Sequence, residues 1–345
     1  MPSPAALIAS APLQAKRFRV CVIGDARIDI RATLHRKRFV DLWRDHHETT
    51  SISLRIGGTA MGFAEAAVSH FAEVSVVAAV GNDGWTGQIE QRCRQIGAVP
   101  CLEPMTDMAN GVVLVVRDAG QTERSAGTRL LVAQSPSPYD RLTRHLVGRY
   151  DATIATVDAL VVDGYALLNA GSAAAVDLAM GIAHDAGVPI SLDVVPHRID
   201  EYVTMERLAP WLRRASLVTI EAPTLARLMG DRVRGDGYDD HDAVALVHRL
   251  PEDLAGPRRT WFVRFGAGNT DRTVAVSPGH HETAYSTGYA AVTDPTGYGY
   301  VIAAAELKWW LTNATSAPGM REVTERLGRV NVSADLVTST PGRSA

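Results

Sequence analysis

The chain has 345 residues, 46% of them hydrophobic and 21% charged, with a formal net charge of −3. That length suits one large α/β unit or two smaller domains, with roughly three quarters of the extended surface buried. The near-neutral balance leaves no basic footprint for nucleic acid and no reason to expect a membrane surface. No apolar run reaches the ~20 residues that span a bilayer. The start, Met1 to Ile8, lacks the charged opening of a signal peptide. Cys21, Cys93 and Cys101 are too scattered for a metal set and read as reduced thiols of a cytoplasmic protein.

In chain order, Arg19 to Ile23 reads as a buried strand closed by Gly24-Asp25. Residues 30–56 are broken by charge, with a basic run at His35 to Arg38, and read as a solvated, partly irregular excursion. Gly57-Gly58-Thr59-Ala60-Met61-Gly62 reads as a turn before a helix from Phe63 to Phe71. A strand over Val74 to Val80 ends in Gly81 to Gly87, and a helix follows from Gln88 to Ile96. Gly111 to Arg117 is a valine-rich strand. From Leu160 a βα rhythm sets in. Strands fall at Leu160 to Asp163, Pro189 to Asp193, Leu217 to Ile220 and Thr260 to Val263, with helices over Ala173 to Ala186 and Pro223 to Met229. Such alternation implies parallel pairing through crossover helices. Arg234 to Asp240 is a loop without the ligand spacing of a calcium site. The tail is polar and reads as flexible.

Asp294-Pro295-Thr296-Gly297-Tyr298-Gly299-Tyr300 leads directly into an apolar helix. A glycine turn at a helix start points backbone N–H groups and the positive end of the helix dipole at one spot, which suits phosphate. The segment resembles the Asp-Thr-x-Gly-Ala-Gly-Asp signature of the ribokinase/PfkB family of carbohydrate and nucleoside kinases. Other pieces resemble that family in the same order. They are Val22 to Asp29, Gly57-Gly58, Val80 to Gly87, Asp193 at a strand end, and Val263 to Gly268. The resemblance implies a ribokinase-like α/β/α sandwich with a mostly parallel sheet and a small β lid. It places a domain over 18–335, lid segments near 30–56 and 108–132, an extension over 1–17 and a flexible tail over 336–345. It also implies a sugar or nucleoside ligand held by Asp29, Gly57, Gly58 and Gly62. The nucleotide side would use Glu221, Thr224, Gly266, Gly268, Asp294, Gly297, Tyr298 and Gly299. ATP, magnesium and a monovalent cation are the implied cofactors, and pairing through the lid implies a homodimer.

Three elements depart from the family pattern. Gly62 stands where the family binds substrate with Asn. Glu221 and Thr224 stand in for the Asn and Glu of an Asn-x-x-Glu motif. Tyr300 replaces the Asp that acts as catalytic base. A tyrosine of ordinary pKa near 10 is protonated at neutral pH and is a poor base, whereas general-base catalysis is worth about 10²–10⁴ in rate. The departures favour a ligand-binding homologue with lost or altered phosphotransfer. An active kinase using Glu221, Asp193 or Asp294 is the alternative, and a structural or regulatory subunit with an empty pocket is the third reading. Each residue also has a plainer role. Asp29 could be an ordinary turn or cap residue, the glycines could serve only as connections, and Tyr300 could fill core. Asp83 reads as a helix cap, and His46-His47 and His280-His281 as exposed pairs. Trp309-Trp310 reads as core or a subunit contact.

Overall fold

The computed structural model describes residues 16–34, 37–42, 47–118, 128–194, 199–234, 237–256, 259–266, 271–277, 281–287 and 297–314. The strands are β1 (Arg19–Ile23), β2 (Arg27–Thr33), β3 (Ile52–Gly57), β4 (Glu73–Val80), β5 (Val99–Pro104), β6 (Val112–Arg117), β7 (Arg129–Ala133), β8 (Ala159–Asp163), β9 (Ile190–Asp193), β10 (Leu217–Glu221), β11 (Thr260–Phe265), β12 (Arg272–Ser277) and β13 (His281–Ser286). The helices are α1 (Thr59–Ala67), α2 (Thr86–Gln95), α3 (Arg144–Arg149), α4 (Asp151–Thr156), α5 (Ala170–Asp185), α6 (Met205–Arg214), α7 (Ala222–Leu228), α8 (Asp240–His248), α9 (Glu252–Ala255) and α10 (Tyr298–Ala314).

Nine strands form one sheet in the order β13-β12-β11-β10-β9-β8-β1-β4-β5. Pairing is parallel from β11 to β5, and β12 and β13 add an antiparallel edge. Successive side chains of a strand point to opposite faces. Val20 and Val22 of β1 accordingly join one core with Phe63, Ile89 and Ile302, while Cys21 and Ile23 join another with Val176, Met180 and Trp211. Helices thus cover both faces, and the central strands are continuous apolar runs, as parallel pairing requires. The ring of Trp309 meets Phe262 edge-on at 5.9 Å, and Trp310 Nε1 donates to Thr260 Oγ1 at 3.1 Å. Both tryptophans therefore dock α10 on the sheet.

A second sheet of four strands, β3-β2-β6-β7, forms the lid. Residues directly opposite each other across paired strands share a face. The register opposes Leu54 to Ile30, Ile30 to Leu114, and Leu114 to Val132. One face of the lid is therefore apolar, and Ile52, Leu54, Leu130 and Val132 on it are each about half exposed or more. The other face carries Arg27, Asp29 and Arg31.

Several boundaries differ from the sequence reading. The helix expected at Phe63 starts at Thr59, because Gly58, at φ +97°, already turns the chain into it. The stretch over 30–56, read as irregular, is bounded by β2 and β3 and holds a short 3-10 turn at Phe39–Asp41. Strands β5, β12 and β13 were not expected, and β7 was expected only as part of the lid segment near 108–132. Gly268, Asp294, His46 and His280, most of the extension over 1–17, and the tail over 336–345 lie outside the described residues. Among the described residues no group of three or more His, Cys, Asp or Glu is placed to hold a metal. None of the described helices is long and apolar enough to cross a membrane.

Candidate functional site

Four neighbouring strands end in, or lead at once into, an acid on the same edge of the large sheet. They are β10 at Glu221, β9 at Asp193, β8 at Asp163, and β1, followed by Gly24-Asp25. In open α/β sheets this carboxyl edge is where ligands bind. The lid strand β2 leaves from the same edge and carries Arg27 and Asp29 over it.

The acids have different fates. Asp163 is buried and fully engaged. It accepts from Thr59 Oγ1 at 2.5 Å, from the Tyr165 N–H at 2.9 Å and from Tyr139 OH at 3.1 Å. Burial raises its pKa against the pull of those donors. Asp193 is pushed up to about 6, chiefly by burial, with Glu306, Asp163 and Glu221 adding to the rise and Arg264 opposing it. Asp25 is buried and ion-paired to Arg27. Asp29 is buried and pairs with Arg31 Nη2 at 2.8 Å. Burial lowers the Arg27 pKa, and Tyr165, Asp29 and Tyr300 lie close enough to oppose that shift.

Gly57 and Gly58 have steric reasons to be glycine. A β-carbon on Gly57 would lie 2.4 Å from the Asp29 carboxylate, and one on Gly58 would lie 2.3 Å from the Asp25 carbonyl oxygen. The turn therefore exists to bring α1 against β1 and β2. Gly62, one turn into α1, faces Tyr300. A β-carbon there would fall 2.5 Å from Tyr300 Cδ2 and 2.6 Å from Cε2. Two departures from the family pattern, remote in sequence, are thus one packing arrangement. The Tyr300 ring lies where a side chain at position 62 would go. Burial lifts the Tyr300 phenol well above its usual range, helped by the nearby Tyr165, Asp163, Asp193 and Asp29. It is a neutral hydrogen-bonding and stacking group, not a proton acceptor.

At the start of α10, Gly297 has φ +87°. Tyr298 turns into the core, and its hydroxyl donates to the Thr287 carbonyl at 2.7 Å. Next to Gly299 lies Arg264 of β11. Its Nη1 is 3.5 Å from the place a Gly299 β-carbon would take. Arg264 Nη2 donates to Glu306 Oε2 at 2.9 Å, and Tyr285 OH donates to Glu306 Oε1 at 2.7 Å. All three side chains are buried, and Arg264 Nε has no partner among the described residues. Gly266, at φ +85°, ends the same strand. Glu221 is partly exposed at the head of α7, whereas Thr224 is buried and accepts from Arg227 Nη2 at 3.3 Å. Asp83 does not cap α2 as the sequence reading expected, since the N-cap is Trp85 and carries no side-chain cap hydrogen bond. It accepts the Trp85 N–H at 2.8 Å, and also Asn110 N–H at 2.8 Å and Nδ2 at 2.6 Å. The end of β4 is thereby fastened to the segment that leads into lid strand β6.

The described residues gather Asp29, Gly57, Gly58, Gly62 and Tyr300 on the lid side of the cleft. On the other side Gly299 lies beside Arg264, which precedes Gly266 by two residues, while Gly297 lies toward Tyr300. The sequence reading left Arg27, Asp163, Tyr165, Arg264 and Glu306 out of the site. An acid closing each of several successive buried strands was a signal for Asp163; nothing local marks Arg264 or Glu306.

A family model described as pfkB family carbohydrate kinase matches residues 17–317. No curated protein sequence matches the chain. Solved structures share the fold at low identity. An Anopheles gambiae adenosine kinase in complex with P1,P4-di(adenosine-5) tetraphosphate aligns with TM-score 0.69 at 12% identity, covering 94% of this chain and 97% of that one. A Giardia lamblia ribokinase aligns with TM-score 0.67 at 14% identity, covering 92% and 89%. A Xylella fastidiosa fructokinase with bound ATP aligns with TM-score 0.60 at 16% identity, covering 94% of each.

Proposed function

The chain belongs to the pfkB family of carbohydrate kinases, and on that premise we propose that it binds a sugar- or nucleoside-type ligand beneath the lid with phosphotransfer lost or altered. The observation that carries this reading is Tyr300, a neutral phenol at the position of the family's base, seated on Gly62. In phosphoryl transfer the protein positions the acceptor and neutralises charge while a carboxylate takes the hydroxyl proton. Tyr300 cannot supply that last function, and its ring takes space from the acceptor.

Binding does not need the missing base. Asp29 and the Gly57-Gly58 turn face the acceptor side, and Asp193 offers its carboxyl group to ligand hydroxyls. ATP and magnesium belong to the reading through the family. The glycines at 297 and 299, with Arg264 beside Gly299, fit a phosphate group, and Glu221 at the end of β10 is the carboxylate that would hold a phosphate-bound magnesium. When bound, the metal and nucleotide would supply the transferable phosphoryl group and its charge neutralisation.

A second reading is an active kinase with a displaced base. Asp193 favours it, since burial brings its carboxyl up to about 6, near the range in which general bases work. Acceptor-dependent ADP release over a panel of sugars and nucleosides, with magnesium and potassium present, separates the two. Background turnover, combined with thermal stabilisation by a ligand, is the expected result. A ligand at about 100 times its Kd adds about 2.7 kcal/mol. Robust turnover abolished by Asp193→Asn or Glu221→Ala would establish the second reading instead. Tyr300→Asp alone should not restore turnover, because Glu221 and Thr224 still depart from the family pattern.

A further inference from the structure

Guanidinium groups stand where the family pattern has its metal-organising residues. Thr224 takes the place of an acid, and its hydroxyl accepts from Arg227 Nη2 at 3.3 Å. Arg227 is itself held by Asp200, whose Oδ2 accepts from Nε at 2.7 Å. Glu221 remains at the end of β10, but the register sets it opposite Arg264 of β11. Side chains directly opposite each other on paired strands are close neighbours. A positive charge fixed beside Glu221 repels a second cation there.

Arg264 is only 4% exposed. Its Nη2 is the nitrogen that Glu306 holds, and Tyr285 OH holds the other oxygen of that carboxylate. Nε has no partner among the described residues, which is costly for a buried charged group. Nη1 lies 3.5 Å from the place a Gly299 β-carbon would take. Gly299 is in the first turn of α10, where backbone N–H groups lack intrahelical acceptors. The guanidinium and the helix start therefore meet at one point, and the glycine keeps side-chain atoms out of it. Arg264 also heads the charges that act on Asp193, so it offsets the repulsion that the strand-end acids would exert on an anion.

We infer that Arg264 is a phosphate-binding residue that acts in place of a divalent metal. With the start of α10 it holds the phosphates of a nucleotide, and this binding persists without magnesium. Helix starts attract anions, and a guanidinium binds phosphate through paired, charge-assisted hydrogen bonds. Glu221 can still take a magnesium carried in on the phosphates, but affinity does not depend on it. The inference rests on the ligand-binding reading above and adds to it the residue that receives the phosphate.

The test titrates ATP and pyrophosphate into the full chain by calorimetry, once in EDTA and once in excess magnesium. Each Kd in EDTA should lie within about threefold of its value in magnesium. Arg264→Met combined with Glu306→Leu removes the guanidinium without stranding its partner and leaves the net charge unchanged. It should weaken ATP about tenfold or more in EDTA, the range set by losing a hydrogen bond to a charged group. The loss should be smaller in magnesium, which then supplies the missing charge. Arg264→Lys should keep part of the metal-free binding, and the circular dichroism and melting temperature of the free variants serve as folding controls. Binding that requires magnesium, or a double variant that weakens ATP by the same factor in both conditions, overturns the inference. So does failure of both compounds to bind in either condition. The ligand-binding reading is judged separately, by thermal stabilisation with the neutral sugars and nucleosides.

Discussion

Gly62→Ala tests the packing that links two of the departures from the kinase pattern. The added methyl would approach Tyr300 Cδ2 to 2.5 Å and Cε2 to 2.6 Å, where ordinary contact begins at 3.4 Å. The ring or helix α1 must therefore move by roughly 1 Å, and overpacking of this kind costs about 1–3 kcal/mol. Replacing a helical glycine by alanine returns at most about 1 kcal/mol. The net expectation is destabilisation by about 1–2 kcal/mol. In a Tyr300→Ala background the obstacle is gone and only the helix preference remains. There the same substitution should stabilise by up to about 1 kcal/mol. The sign should reverse, with a coupling energy of roughly 2 kcal/mol between residues in contact. Urea unfolding of the four proteins, with slopes compared to confirm a common transition, gives the cycle. If Gly62→Ala is neutral or stabilising with Tyr300 in place, the ring does not rest on α1 and the argument linking the two positions fails.

Three further outcomes follow from the same geometry. Arg264→Met should destabilise by about 3–5 kcal/mol by stranding Glu306, while Arg264→Met combined with Glu306→Leu should recover most of the loss in urea unfolding. Asp193 binds its proton more tightly folded than unfolded, so the stability it contributes is present below about pH 4 and lost as pH rises through about 6. Asp193→Asn should flatten the dependence of the urea midpoint on pH across that window, and an unchanged slope would contradict it. The outer lid face should join two copies of the chain. Light scattering should give a dimer that falls to a monomer in Leu54→Glu combined with Leu114→Glu, and a wild-type monomer at all concentrations would refute this.

The central strands were legible because parallel strands buried on both sides must be continuous apolar runs, as Leu160-Val161-Val162 and Thr260 to Val263 are. Strand β5 was not, because Pro100 and Pro104 break its pattern and its edge position tolerates them. Strands β12 (Arg272 to Ser277) and β13 (His281 to Ser286) are short edge strands with polar residues grouped at their ends and no alternating pattern, and β7 sits in a lid whose partners are distant in sequence. Helix α1 was placed four residues late because Gly58 acts as its N-cap without a side-chain hydrogen bond, so no capping residue announced it. The turns at Gly57-Gly58 and Gly297 were visible as motifs. The contacts of Arg264 with Glu306, and of Thr59 and Tyr139 with Asp163, join residues with no shared pattern, and only the folded chain reveals them.

The seating of Tyr300 on Gly62 bears on how such a protein can change over generations. A side chain restored at 62 meets the ring, and a carboxylate restored at 300 leaves the glycine opposite it with nothing to orient an acceptor. On the ligand-binding reading, neither single reversion is an improvement by itself, so a lineage carrying both would face a fitness valley on the way back to transfer chemistry. Selection acting one substitution at a time would instead refine what the cleft can still hold. On that reading the pair would work as a ratchet, and a return to catalysis would require both ends of the chain to change together.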